Sequence, residues 1–125
     1  MNKDLILLDT NIIIYALKND PNIYSFVDKK RLAVSFVTEM ELLGWKGISA
    51  GDRTLLNEFL KQCLYIDYNY QIRQRTITIK CAYNLKLADA FIAASSLEFD
   101  IPLVSADKVF DKVAELNFIH LLPYT

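Results

Sequence analysis

Glycine and proline are scarce in this chain, three of each, which argues against a loop-rich or repetitive architecture. Cysteine is scarcer: Cys63 and Cys81 stand far apart with no histidine near either. That excludes a disulfide framework and a thiolate metal site, and reads as buried reduced thiols in a cytoplasmic protein. The single histidine, His120, gives neither an imidazole metal cluster nor a convincing Ser/His/Asp triad, and reads as an ordinary strand-end residue. No apolar run approaches the ~20 residues that span a bilayer. The opening, MNKDLILLDTN, has too short an apolar stretch for a signal peptide and is flanked by acids. A dominant charge is lacking too, with 14 Lys+Arg against 15 Asp+Glu and a net charge of -1. A polybasic tail that holds nucleic acid by bulk charge is therefore excluded, whereas a local patch is not.

What is present is apolar: 53% of the 125 residues are hydrophobic and 23% charged. This fits one ordered domain, residues 1–125, burying about two thirds of its unfolded surface. Leu5-Ile6-Leu7-Leu8 is a continuous apolar run, as expected of a parallel strand covered on both faces. Helices are predicted over Ile12 to Leu17 and Asn22 to Lys29, and a second strand over Leu32 to Val37. Thr38 would open a helix closing near Gly47, and Asp52 would cap another carrying Leu55, Leu56, Phe59, Leu60 and Cys63. A short strand follows at Tyr65 to Asp67. Residues Tyr70 to Leu85 alternate like a strand at Thr76-Ile77-Thr78-Ile79, yet Ile72, Thr76, Ile79 and Tyr83 form a helical stripe. Sixteen residues is long for a strand, so helix is preferred. A helix from Ala90 to Phe99, a strand at Ile101 to Val104, a helix from the Asp107 cap to Glu115 and a strand at Phe118 to Leu122 complete the chain. Strands alternating with helices predict an α/β fold, a three-layer α/β/α sandwich around a mostly parallel sheet.

In such sheets ligands gather at the carboxyl ends of the strands. Asp9 ends the first strand, Glu41 lies one helical turn beyond the second, and Asp107 follows Val104 of the fourth; Asp89 enters at a helix start. Each has a bland explanation. Thr38-x-x-Glu41 has the form of a capping box, Asp89 and Asp107 complement helix dipoles, and Asp9 could hold a turn. The set is harder to explain away, because four anions at one rim repel unless a cation lies among them. All-oxygen donors select Mg²⁺ or Mn²⁺, which assist phosphoryl transfer.

The segments LILLDTNIIIYAL, SFVTEMELLGW and LKLADAFIAASSLEFDIPLVSADKVF closely resemble the successive motifs of PIN-domain ribonucleases, in particular the VapC-type toxins of toxin–antitoxin pairs. The resemblance implies an Mg²⁺- or Mn²⁺-dependent endoribonuclease, leaving 5′-phosphate and 3′-hydroxyl ends. On it, Asp9, Glu41, Asp89 and Asp107 match the family's metal-holding acids, Asp107 at its most variable position. Asn11 and Ser105 match polar positions lining the site, Thr10 is read as a helix cap, and Glu39 and Asp111 as solvated or peripheral. The implied partners are RNA, a small VapB-like antitoxin in a groove near Tyr15, Tyr24, Phe26 and Trp45, and a second copy in a homodimer.

Between Asp67 and Asp89 there is no acid, while Arg73, Arg75, Lys80 and Lys86 are interleaved with Tyr68, Tyr70 and Tyr83. That pattern suits RNA phosphates and stacked bases, or simply a solvated helix face; Arg73 and Arg75 cannot share one face. Three other readings stand beside it. A haloacid-dehalogenase-like phosphatase would need an Asp where Asn11 stands, and a receiver domain would need a better placed lysine than Lys108. A degenerate PIN fold that only binds would not require all four acids.

Overall fold

The computed structural model describes residues 4–124; residues 1–3 and 125 of the expected 1–125 domain lie outside the described residues. The chain runs β1 (Leu5–Leu8), α1 (Thr10–Leu17), α2 (Pro21–Val27), β2 (Arg31–Ser35), α3 (Phe36–Leu43), α4 (Ala50–Lys61) and β3 (Leu64–Ile66). It continues with α5 (Tyr70–Ala82), α6 (Leu87–Phe99), β4 (Leu103–Ser105), a 3-10 helix at Lys108–Lys112 and β5 (Phe118–His120). The five strands pair in parallel in the order β3-β2-β1-β4-β5.

The apolar run of β1 divides its side chains between two cores. Leu5 and Leu7 pack with α5, α6 and Phe110 on one face. Ile6 and Leu8 pack with α1, α2, Leu42 and Leu56 on the other. The alternation of side chains along a strand, with both faces apolar, yields the expected three-layer sandwich. Among the described residues no helix is long and apolar enough to cross a membrane.

Several boundaries differ from expectation, each for a local reason. β2 closes at Ser35, whose hydroxyl accepts from Val37 N at 3.1 Å and caps α3. Thr38 is therefore inside α3 and fully buried, and Glu41 lies in its last turn rather than in a capping box. Ser49 caps α4 in place of Asp52, accepting from Asp52 N. α5 is the preferred helix, with Ile72, Thr76 and Ile79 buried; the Thr76 hydroxyl is satisfied by Ile72 O at 2.7 Å. Asp107 does cap a helix, but a 3-10 turn ending at Lys112 rather than one reaching Glu115. β5 stops at His120.

Candidate active site

The strand order places a switch point between β1 and β4. β2 and β3 lie on one side of β1, and the chain then crosses back to lay β4 on the other. Crevices at such points, beyond the carboxyl ends of the strands, are where α/β sheets bind ligands. Asp9 follows β1 and Ser105 closes β4, so both stand at this crevice. α6 leads back into β4, which carries its N-terminal turn and Asp89 to the same edge.

Asp9 is the anchored acid. It is the N-cap of α1, only 6% exposed, and its Oδ1 accepts from Thr10 N at 2.8 Å. Its Oδ2 accepts from Ser105 Oγ at 2.6 Å, and Ser105 Oγ in turn accepts from Asp107 N at 3.0 Å. Burial raises the Asp9 pKa, against the lowering effect of the Ser105 and Thr10 bonds; Glu41 and Asp107 add to the rise.

Asp89 is half-buried, and among the described residues its carboxylate has no hydrogen-bond partner. Its pKa is pushed up to about 6, first by burial and then by the negative charges of Asp9, Asp107 and Glu41, with Lys86 acting in the opposite sense. These four acids therefore share one field. Glu41 is exposed, and its Oε1 accepts from Thr10 Oγ1 at 2.5 Å. Asp107 is exposed and spends Oδ1 on Val109 N at 2.9 Å. The structure thus gathers the four predicted acids within electrostatic reach. Among the described residues it does not preassemble three of them into a close ligand cluster. Their donor set, oxygen only, fits Mg²⁺ or Mn²⁺ better than a soft metal.

The other predicted positions divide. Ser105 donates its hydroxyl to Asp9 Oδ2. Asn11 Oδ1 accepts from Ala106 N at 3.3 Å, tying α1 to the β4 loop. Thr10, read as a cap, gives up that role to Asp9 and turns its hydroxyl to Glu41 and Thr38. The α5 region does not present four unengaged cations. Arg75 is paired with Glu98 at 2.7 Å and Lys80 Nζ donates to Leu85 O at 2.8 Å. Arg73 is exposed, and Lys86 lies beside the acids as the N-cap residue of α6. Glu39, read as solvated, is half-buried and accepts from Tyr65 OH at 2.9 Å. Asp111 is exposed as expected.

An open groove of about 550 Å³ starts at Thr10 and Glu41 and runs between α1, Trp45 and α4 over Ile14, Leu17, Ile48 and Leu55. Of the four aromatics expected at a partner groove, Trp45 lines it; Tyr15, Tyr24 and Phe26 do not. Sequence reasoning passed over Ile14 and assigned Leu55 only to the apolar stripe of its helix, yet they are 39% and 53% exposed. Their signal was a helical stripe wider than one core needs.

Comparison with known proteins agrees with this fold. The VapBC2 complex of Rickettsia felis, bound to a promoter DNA fragment, superposes with a TM-score of 0.82 at 19% identity, covering 94% of this chain and 99% of that one. A toxin–antitoxin complex from Klebsiella pneumoniae gives 0.79 at 23% identity, with 91% and 95% covered. VapBC-1 of nontypeable Haemophilus influenzae gives 0.74 at 26% identity, with 92% and 96% covered. Among curated protein sequences none matches. The model of the PIN domain matches residues 6–116, and the chain belongs to the PIN domain family.

Proposed function

We propose that this protein is a divalent-metal-dependent endoribonuclease and the toxin half of a toxin–antitoxin pair. The observation that carries the reading is the shared field of Asp9, Glu41, Asp89 and Asp107 at the β1/β4 crevice, with Asp89 raised to about 6 by burial and like charge. Carboxylates kept under mutual repulsion gain most when a cation arrives. Its fold relatives in toxin–antitoxin complexes support the biological setting.

Asp9, Glu41, Asp89 and Asp107 would hold Mg²⁺ or Mn²⁺, which when bound activates water and neutralises charge on a phosphodiester. The protein's own residues prepare that step. Ser105 Oγ and Thr10 N hold Asp9 in one orientation. Lys86, at the start of α6, supplies a cation beside Asp89 where an RNA phosphate would lie. The apolar groove, ending at Glu41, would take a helix of a VapB-like antitoxin and place it against the site. The same reading carries a cytoplasmic homodimer and RNA ends bearing 5′-phosphate.

Asn11 disfavours the phosphatase alternative: its carboxamide accepts the Ala106 N–H at a position where that chemistry needs a second carboxylate. A binding module on the same fold is the second reading, favoured by the lack of a preassembled acid trio among the described residues. Mapping the ends of RNA cleaved in cells after induction, beside an Asp89→Asn control, separates the two. Discrete new 5′-phosphate ends with wild type alone support the nuclease; identical RNA profiles leave the binding module.

A further inference from the structure

We infer that Thr10 is a positioning residue for Glu41, and that Thr38 braces it. The inference rests on the metal-site reading of Glu41 given above. A glutamate in the last turn of a helix, exposed to water, has several rotamers open to it, and ordering it costs conformational entropy. Among the described residues Glu41 has no salt-bridge partner, and its one hydrogen bond is from Thr10 Oγ1 at 2.5 Å.

Thr10 is well suited to hold it. A threonine at a helix start ordinarily caps the helix, but Asp9 already fills that role by accepting the Thr10 N–H. The Thr10 hydroxyl is thereby released to reach from α1 to α3. Its branched side chain restricts χ1, and its backbone directly continues the residue that places Asp9 at the crevice. One side chain thus links the positions of two acids delivered by different elements.

Proton counting gives the direction of the network. Thr10 Oγ1 also lies 3.1 Å from Thr38 Oγ1, which is fully buried one turn before Glu41. Thr10 has a single hydroxyl proton. A carboxylate is the stronger acceptor, so that proton goes to Glu41, and Thr38 donates to Thr10. Each bond polarises the next toward the acid. Glu41 Oε1 is occupied by the hydroxyl, while Oε2 has no partner among the described residues. Removing the Thr10 hydroxyl would leave Glu41 free to turn into solvent, while Asp9 and its own bonds remain.

The test is Mn²⁺ binding measured by titration calorimetry, with melting in EDTA as the structural control. Thr10→Val, nearly isosteric, should weaken Mn²⁺ binding about 10- to 100-fold, the range for groups that orient a metal ligand. Thr10→Ser keeps the hydroxyl and should recover most of the affinity, and Thr38→Val should cost less than Thr10→Val. The EDTA melting temperature should separate the variants far less than affinity does. Because Thr10 acts through Glu41, Thr10→Val should add little to the loss in Glu41→Gln. Wild-type affinity in Thr10→Val, or a loss fully additive with Glu41→Gln, overturns the assignment while the metal reading stands. A wild-type protein that takes up no Mn²⁺ ends the metal reading and this assignment with it.

Discussion

The crevice between β1 and β4 draws one sign of charge from scattered positions, the helix α5 carries the other sign in one continuous basic run, and the fold treats them oppositely. At the crevice, four carboxylates from separate elements share one field, opposed at Asp89 by Lys86. Along α5 two of the three cations are met by partners from elsewhere: Glu98 of α6 takes Arg75, and the Leu85 carbonyl takes Lys80, while Arg73 stays exposed. Its interleaved tyrosines are largely engaged as well. Tyr83 OH donates to Glu115, and Tyr68 packs edge-on against Phe36 and Phe91. Uncompensated charge is costly in a fold, so where it persists it is a candidate site for a counter-charge. Compensated charge marks architecture.

The sharpest way to break that contrast is to neutralise one acid. Asp89→Asn removes a charge with almost no change of shape. If the acids hold metal, RNA cleavage should fall about a thousandfold or more, since charge stabilisation of this kind is worth several kcal/mol in the transition state. Stability in EDTA should hold level or rise, because repulsion is relieved. Cleavage assays with and without Mg²⁺, beside melting curves, check both halves. Retained cleavage would place Asp89 with the architectural charges.

A pH titration of stability is the next largest effect. Asp89 titrates near 6 in the folded protein against an ordinary value of 3.8. Between those values the folded state binds more protons than the unfolded one, so its contribution to stability falls as pH rises from about 4 to about 6 and is constant above. The raised Asp9 pKa acts in the same direction. Glu115, lowered by its Tyr83 bond, acts in the opposite one, so the informative quantity is wild type minus Asp89→Asn. That difference, from urea midpoints in EDTA, should become less favourable to wild type across the window. Saturating Mg²⁺ should reverse the trend, because a bound cation favours the deprotonated acids and the metal-bound fold then gains stability as pH rises.

The same contrast explains what could be read in advance. The strands, the layers and the delivery of Asp9, Glu41, Asp89 and Asp107 into one electrostatic field are legible because each rests on local pattern: an apolar run, a turn, an acid at a fixed offset. What is not legible depends on competition between neighbours for one role. Asp9 and Thr10 could each cap α1, and Asp9 does, which frees Thr10 for Glu41. Ser35 and Thr38 could each cap α3, and Ser35 does, which buries Thr38. Charge counts fail for a related reason. The acid-free stretch before Asp89 says nothing of Glu98 or Glu115, which fold back onto it.

Lys86 tests whether any of the basic run serves RNA. It stands at the crevice, where Arg75 and Lys80 have other partners. Lys86→Ala should weaken RNA binding and lower the slope of log affinity against log salt by about one. Fluorescence anisotropy on an Asp89→Asn background, which prevents cleavage, gives the slope. An unchanged slope would make Lys86 a neighbour of the acids and nothing more.

The smallest effect belongs to Arg75. Its bond to Glu98 joins α5 to α6 at 2.7 Å, with side-chain exposures of 49% and 25%. A partly exposed pair of this kind contributes about 0.2 to 1 kcal/mol. Arg75→Ala should lower stability by no more than that, and Glu98→Gln by a similar amount. The double variant should cost less than the sum of the two, since both singles remove the same pair. RNA affinity and its salt slope should be untouched in Arg75→Ala, because a guanidinium already held by Glu98 gains little from a phosphate. An RNA defect equal to that of Lys86→Ala would show that the ion pair opens on binding, and would return α5 to the class of sites that await a counter-charge.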